Sequence, residues 1–275
     1  ADVSLLHADV ADRPALAAAL ATLRAPLVGI IHAAGVLADG ALLNTSDDRL
    51  TRVLAPKIAG AWHLHELTRD QPLALFVLCS SASAILGSPG QAGYAAANSF
   101  LAALAAHRRS RELPALCVDW GAWDDVGLAA AHHDRGDRLG RQGLAGMAPA
   151  EAADHLGLLL AQGATQRAAM RLHARRWRES NLAIARAPFL DELAETTHPS
   201  AAPLRDQLAA LPASARAEPL QAHLREQVAR VLRRAPAQLG LDDPLQQTGL
   251  DSLMAMELRN RLEASLGLAL NVTLI

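Results

Sequence analysis

The sequence is poor in aromatic residues and cysteine, and these shortages narrow the classes of protein to which it can belong. Tyr, Phe and Trp make up 3% of the 275 residues, with a single Tyr and two Cys. We therefore expect an aliphatic core. The two thiols, Cys79 and Cys117, each lie in an apolar run, which is typical of reduced, buried cysteines rather than of a disulfide. The eleven His lack the spacing of a zinc site, so we expect no metal.

An excess of one charge and long hydrophobic stretches are also missing. The formal net charge is −2, which provides no basic field for displacing counterions, so we expect no nucleic-acid partner. No apolar run approaches the ~20 residues that span a bilayer. The first residues lack the basic and apolar segments of a secretion signal. We therefore expect a soluble, cytoplasmic protein with no membrane partner.

Strand-like and helix-like segments alternate over the first part of the chain. Apolar runs predict strands at residues 3–8, 26–32, 73–79, 115–120 and, more weakly, 168–172, and helices are predicted at about 14–24, 46–68, 94–111 and 149–160. This alternation predicts an α/β fold with a doubly wound parallel sheet, whose ligands bind at the carboxyl ends of the strands. Residues 121–147 are rich in Gly, Asp and His with little periodicity, which predicts a mobile loop or lid.

The composition changes after this α/β region. Four prolines punctuate an Ala-rich stretch between about 192 and 219, which indicates an interdomain linker. Helical spacing then predicts helices at 220–234 and 251–266, as in a small all-α bundle. We predict an α/β domain over 1–190, a linker over 191–217 and a partial helical domain over 218–275. Both ends of the chain are expected to cut into a folded unit.

Four polar residues have the chemistry of a carbonyl reductase: one follows a predicted strand, two lie in the first turns of the next predicted helix, and one lies on the helical segment before that strand. They are Lys57, Ser81, Tyr94 and Asn98. A free phenol has a pKa near ~10, and a neighbouring ammonium favours the phenolate and brings proton donation into range at neutral pH. Taken singly, a Tyr at a helix start is usually a packing residue, a Ser pair is usually a turn and a Lys is usually a surface charge.

Five motifs in order carry a resemblance to a known family, at residues 32–36, 54–62, 80–82, 87–98 and 118–123. They closely resemble the ketoreductase domain of modular polyketide synthases, within the short-chain dehydrogenase/reductase superfamily. The resemblance implies a partial Rossmann-type fold that reduces a β-ketoacyl thioester to a β-hydroxyacyl thioester. It implies that Tyr94 is the general acid and that Lys57 tunes it. Ser81 would hold the carbonyl oxygen, and Asn98 would orient Lys57 or a relay water.

The resemblance also implies NADPH as the cofactor. The residues that match the family's cofactor contacts are Asp9, Val10, Ala34, Gly35 and Gly121. On its own, Asp9 would more often be a helix cap, and Gly35 would be a residue of a tight turn. The Gly-rich loop that holds the diphosphate in this family is not in the chain and would precede Ala1. We therefore do not expect the chain alone to bind NADPH.

The loop that directly follows the motif at residues 32–36 also resembles a feature of the family. Leu37-Ala38-Asp39 resembles the Leu-x-Asp loop of ketoreductases that form the D-configured β-hydroxyl. Pro89 agrees with this class, and Leu86 occupies the position where the opposite class carries Trp. Asp39 would orient the substrate. The alternative interpretation is that Asp39 is only a solvated residue of a turn.

A second motif, at residues 249–253, is followed by Glu257-Leu258-Arg259 and resembles the acyl carrier domain that follows the ketoreductase in such modules. It implies that Ser252 carries covalent 4′-phosphopantetheine, added by a phosphopantetheinyl transferase. A helix start can accommodate a phosphodiester, although Asp-Ser-Leu by itself is a common N-cap. Other implied partners are the acyl thioester substrate and further polyketide synthase domains such as the ketosynthase and acyltransferase.

Two other functions remain open from the sequence. The chain could be a binding module only, in which Ser252 carries acyl groups and the reductase region is an inactive remnant. It could also be a free-standing small-molecule dehydrogenase, although the carrier motif argues against this.

Overall fold

In the computed structural model, four parallel strands form the centre of the N-terminal region. The described residues form six strands in all, of which β1, β2, β3 and β5 are the parallel four: β1 (Gly29–His32), β2 (Leu75–Ser81), β3 (Leu116–Trp120), β4 (Leu144–Ala145), β5 (Gln166–Ala169) and β6 (Arg171–Leu172). The parallel sheet has the order β1-β2-β3-β5, and β4 pairs with β6 in a short antiparallel ladder. Because β1, β2 and β3 run in the same direction, their carboxyl ends meet at one edge of the sheet.

α-Helices lie before, between and after these strands in the sequence. They are α1 (Arg13–Ala21), α2 (Asp47–Lys57), α3 (Ala59–Thr68), α4 (Ser83–Leu86), α5 (Ala92–Arg109), α6 (Gly127–Ala130), α7 (His133–Gln142), α8 (Pro149–Ala161), α9 (Ala174–Ser180), α10 (Leu204–Ala209), α11 (Ala217–Leu232) and α12 (Ser252–Leu266). Local signals start several of them: the Asp12 side chain caps α1, and Pro149 opens α8. The predicted α/β fold with a parallel sheet is confirmed.

The structure describes residues 3–130, 133–181, 190, 204–232, 234–240, 244, 248–250, 252–268 and 270. The chain divides into two units, Ala1–Leu172 and His173–Ile275. The first unit contains the sheet, and α9 to α12 lie in the second. No described helix is both long enough and apolar enough to cross a membrane.

The core of the first unit lies on both faces of the sheet. Phe76 and Leu78 of β2 pack on one face with Leu101 of α5. Val77 of β2 and Val118 of β3 pack on the other face. Neighbouring side chains of a strand point to opposite faces, so the continuous apolar runs of β2 and β3 follow from burial on both sides.

The prediction of a strand at residues 3–8 is wrong. These residues have no regular secondary structure, and Val3 and Leu5 are 89% and 78% exposed. A strand needs a neighbour that pairs with its N–H and C=O groups. Within the described residues no strand lies beside this segment. Its apolar composition alone does not make it a strand.

Two other element predictions are corrected. The helix predicted at 46–68 is two helices, because α2 ends at Lys57 and α3 begins at Ala59. Pro56 lies in the last turn of α2 and has no N–H to continue the helical bonding. Residues 121–147, predicted as an irregular mobile loop, contain α6, α7 and β4. These elements are short, and the hydrophobic periodicity of the segment is too weak to predict them from the sequence.

The second unit has an apolar cluster between its helices. Leu258 and Leu262 of α12 are buried against partly buried leucines of α10 and α11. The helices predicted at 220–234 and 251–266 are confirmed as α11 and α12, while Asp251 lies outside the described residues. Of the predicted linker, residues 191–203 also lie outside them. The following helix, α10, packs on α12.

Candidate active site

Lys57 is a buried amine that lies beside the phenol ring of Tyr94. Its side chain is 3% exposed, and its Nζ lies 5.7 Å from the centroid of the Tyr94 ring. Nζ donates a hydrogen bond to the Cys79 carbonyl oxygen at 2.9 Å, which ties the end of α2 to β2. Lys57 is the only Lys in the sequence and Tyr94 the only Tyr. The fold therefore brings these two unique residues into one site.

Burial lowers the pKa of the Lys57 ammonium from 10.5 to about 8, against opposing effects of Cys79 and Cys117 that raise it. Because Lys57 is the only lysine, lysine labelled with ¹³C gives one side-chain signal. We expect that signal to titrate with a midpoint near pH 8. A midpoint at the ordinary value of 10.5 would contradict the burial. The Tyr94→Phe variant serves as a matched control, because it removes only the neighbouring hydroxyl.

Asn98 lies one turn beyond Tyr94 on α5 and is fully buried. Its Nδ2 donates to the Tyr94 backbone carbonyl at 2.8 Å. Its Oδ1 has no hydrogen-bond partner within the described part of the chain. A buried acceptor of this kind is normally satisfied by water or a ligand. The role of Asn98 in orienting Lys57 or a relay water stays a prediction.

Ser81 ends β2 and lies two residues beyond Cys79. It pairs with Trp120 of β3, and its Oγ accepts the N–H of Ser83 at 3.2 Å. Because the Oγ accepts in this contact, the hydroxyl hydrogen remains to be donated. A Ser at this edge of the sheet can therefore donate to a carbonyl oxygen.

Ala34 and Gly35 follow β1, and Gly35 passes directly over Lys57. A Cβ at Gly35 would lie 3.0 Å from Lys57 Cε and 3.5 Å from Nζ. The approach is closer than most Cβ contacts, so the absence of a side chain at Gly35 leaves Lys57 in place. The roles of Ala34 and Gly35 in cofactor binding stay predictions.

His32 is the last residue of β1, and the sequence motif that contains it did not predict a role for it. Burial and the Lys57 charge lower the pKa of its imidazole to about 4, against a hydrogen bond to the Pro56 backbone that raises it. Its Nε2 has no partner among the described residues. His32 therefore stays neutral at pH 7 and is bonded to the residue that precedes Lys57.

The lowered pKa of His32 makes stability depend on pH. Between pH 6.5 and 4 the unfolded chain binds a proton at this residue and the folded chain does not. We expect the free energy of unfolding to fall across this range as pH falls, by up to about 3 kcal/mol for this residue. Denaturant titrations of the parent and of His32→Gln measure it. Gln keeps a donor for Pro56, and an unchanged pH slope in that variant would contradict the assignment.

The other predicted cofactor residues have structural contacts of their own. Asp9 Oδ1 accepts the Ala11 N–H at 2.9 Å, as a turn cap does. The Val10 side chain packs on Gly60, where a Cβ would lie 2.6 Å from Val10 Cγ2. Gly121 has no room for a side chain, because a Cβ there would lie 2.8 Å from Met170 Cβ. Their cofactor roles stay predictions.

The Asp39 loop is fastened to the start of α5. Both carboxylate oxygens of Asp39 lie 3.1 Å from Nε2 of Gln91, which donates to them. Arg49 donates to the Asp39 backbone carbonyl at 2.6 Å. Gln91 precedes α5 and stands three residues before Tyr94, and the two residues line one cleft with Asp39. Sequence reasoning missed Gln91; its only signal is a polar residue at a helix start.

Ser252 is the first residue of α12. The chain reaches it through Gly249, whose φ of +91° lies in the left-handed region that favours glycine. Leu258 of the same helix is fully buried. Ser252 therefore stands at the N-terminus of a packed helix, where a phosphodiester is accommodated.

Two family models match the chain. Residues 1–125 match the model described as "KR domain", and residues 222–275 match the model described as "Phosphopantetheine attachment site". Among curated relatives, the spectinabilin polyketide synthase system protein NorB of Streptomyces orinoci is 44% identical and is matched by 99% of this chain. The mycoketide-CoA synthase of Mycobacterium tuberculosis is 39% identical and is matched by the whole chain. The chain spans 13% and 7% of these two relatives.

Solved structures agree with the sequence matches. The structure described as "A-type Ketoreductases from Modular Polyketide Synthase" is 41% identical, with a TM-score of 0.60, and the match covers 70% of this chain and 38% of that one. A ketoreductase from the first module of phoslactomycin biosynthesis in Streptomyces sp. HK803 is 33% identical, with a TM-score of 0.62, and the match covers 70% of this chain and 45% of that one.

The α/β fold of the first unit resembles that of solved polyketide synthase ketoreductases, and a region that matches the phosphopantetheine attachment model follows it along the chain. The chain belongs to the modular polyketide synthases, with a ketoreductase region followed by a phosphopantetheine attachment region. The resemblance found in the sequence motifs is thereby confirmed.

Proposed function

We propose that this chain supplies the catalytic residues for NADPH-dependent reduction of a carrier-bound β-ketoacyl thioester to a β-hydroxyacyl thioester. The acyl chain is carried on 4′-phosphopantetheine at Ser252. The observation that carries the proposal is the buried Lys57 amine, 5.7 Å from the Tyr94 ring at the carboxyl edge of a parallel sheet. The matches to polyketide synthase ketoreductases support it.

Each residue of this site has a separate role in the protonation of the ketone. The Ser81 hydroxyl donates a hydrogen bond to the ketone oxygen, where negative charge develops. The Tyr94 hydroxyl then gives its proton to that oxygen. Lys57 stabilises the phenolate left behind, and a water bound near Asn98 Oδ1 returns a proton from solvent. The nicotinamide cofactor, when bound, supplies the hydride that adds to the carbonyl carbon and completes the alcohol.

The residues near Lys57 fit a nicotinamide cofactor. Gly35 presents bare backbone beside the amine, and the Lys57 ammonium and Tyr94 hydroxyl can donate to ribose hydroxyls. Ala34 precedes Gly35 and is proposed to belong to the same contact. Asp9 and Val10 are proposed to meet the adenine, and Gly121 to lie along the same edge. The preference for NADPH over NADH comes from the family resemblance.

We further propose a D-configured product, with Asp39 orienting the substrate. The support is the Leu37-Ala38-Asp39 loop, which is fastened through Gln91 to the helix that carries Tyr94. The term "A-type" in the description of the matched structure applies to that protein. We base the proposed configuration on the Asp39 loop of this chain and not on the similarity of the folds.

The test uses the full-length gene product that contains this chain, incubated with a β-ketoacyl thioester and either NADPH or NADH. Loss of NADPH absorbance, with a D-configured alcohol on chiral chromatography, is the expected result. Faster turnover with NADH would overturn the cofactor choice, and an L-configured product would overturn the role of Asp39. No reduction together with phosphopantetheine loading would favour the carrier-only function.

Three partners follow from the same proposal. They are a phosphopantetheinyl transferase, and the ketosynthase and acyltransferase domains that extend the acyl chain in the cytoplasm. The multidomain relatives support the last two.

A further inference from the structure

The cleft beside Tyr94 has two walls, which come from separate parts of the chain. One wall consists of residues 38–45 and the first turn of α2, and the other consists of residues 90–94. The first wall contains Asp39 and the second contains Tyr94. The contacts that hold the first wall therefore decide where the Asp39 side chain lies relative to the Tyr94 hydroxyl.

Arg49 lies in the first turn of α2, and its side chain reaches back to the loop ten residues earlier in the chain. Its Nη2 donates to the Asp39 backbone carbonyl at 2.6 Å. The guanidinium lies close to Gly40, where a Cβ would be 3.4 Å from both Nη1 and Nη2. A hydrogen bond from an ionised donor is stronger than one between neutral groups. Arg49 therefore holds the loop by its backbone, next to the residue proposed to orient the substrate.

Two further hydrogen bonds join this loop to the other wall of the cleft. The Gly40 N–H donates to the Gly90 carbonyl at 2.8 Å. Gln91 Nε2 donates to both carboxylate oxygens of Asp39. Only the bond from Gln91 involves the Asp39 side chain. The contacts of Arg49 and Gly90 are made to the backbone, so a change of the Asp39 side chain removes none of their partner atoms.

We propose that Arg49 is a positioning residue for the reduction: it holds the backbone of the Asp39 loop, keeps the Asp39 carboxylate at Gln91, and through Asp39 favours one configuration of the alcohol. Gln91 stands three residues before Tyr94, so the carboxylate is held near the start of the helix that carries the proton donor. The effect on configuration rests on the proposed function, whereas the effect on the loop does not.

The hold on the loop is measured without activity, by hydrogen–deuterium exchange in the full-length gene product. Arg49→Met removes the donors but keeps an unbranched side chain. We expect the Gly40 amide to exchange about 5-fold faster in this variant, as for the loss of one hydrogen bond. Arg52→Met is the matched control, because Arg52 is an exposed arginine of the same helix that does not line the cleft. Parent-like exchange in Arg49→Met would overturn the proposal.

The positioning role is measured by the configuration of the product. Arg49→Met should lower the ratio of D- to L-configured alcohol by about 5- to 10-fold, and Arg52→Met should keep the parent ratio. Asp39→Ala should also lower the ratio. Adding Arg49→Met to Asp39→Ala should lower it no further, because the carboxylate that Arg49 positions is gone. A merely structural role of Arg49 would still act in that background.

Arg49→Lys should recover most of the parent ratio, because an ammonium can donate to the same carbonyl. The proposal is overturned if Arg49→Met keeps the parent ratio, or if its effect adds to that of Asp39→Ala. A parent that reduces no ketone overturns the proposed function and the effect on configuration with it. The exchange experiment then still decides whether Arg49 holds the loop.

Discussion

Tyr94→Phe is expected to lower kcat for ketone reduction by about 10²–10⁴-fold, because the variant has no proton to give to the developing alkoxide. The ring remains, so its packing beside Lys57 is kept and little change in stability is expected. The measurement is NADPH consumption by the full-length gene product with a β-ketoacyl thioester.

A matched control for this variant lies on the same helix. Ser99→Ala also removes one hydroxyl from α5, but Ser99 is exposed, and among the described residues its Oγ donates only to the Ala95 carbonyl of the same helix. It should keep the parent rate. If Tyr94→Phe also kept the parent rate, Tyr94 would not be the general acid, and the reductase region would need another proton donor.

Ser252→Ala is expected to abolish loading of the carrier region. Incubation of the chain with coenzyme A and a phosphopantetheinyl transferase should raise the intact mass by one phosphopantetheinyl group, because the Ser252 hydroxyl forms the phosphodiester at the start of α12. The variant has no oxygen to form this bond, so the gain in mass should disappear.

Ser265 offers the control for this experiment, since it lies on the same helix and bonds to His223 at 2.8 Å. Ser265→Ala should load as the parent does. A gain in mass that persists in Ser252→Ala would assign the attachment to another residue, and no gain in the folded parent would reject the carrier function.

Much of the fold was predictable because β2, β3 and α5 have strong local signals. The two strands are continuous apolar runs of strand length, and α5 is a long Ala-rich helix with basic residues in its last turn. The prediction failed where a local signal needs a distant partner. Residues 3–8 have the composition of a strand but no described neighbour, and a strand without a neighbour cannot satisfy its backbone.

The sequence motifs predicted a set of site residues, but they did not predict the contacts that these residues make. The motifs named Lys57, Ser81, Tyr94 and Asn98, and the structure places Lys57 beside Tyr94. The motifs did not indicate that Gln91 joins Asp39 to α5, or that Ser80 joins β2 to Asn98. These contacts link residues far apart in the chain, and neither Gln91 nor Ser80 has a local pattern that marks it.

The sequence by itself determined the family, the α/β class and the identity of the chemical groups, because each of these is encoded in short stretches of neighbouring residues. Only the tertiary structure decided the burial of Lys57 and the neutral form of His32. Protonation depends on how much water and which charges surround a group. Those surroundings are assembled from separate strands and helices when the chain folds.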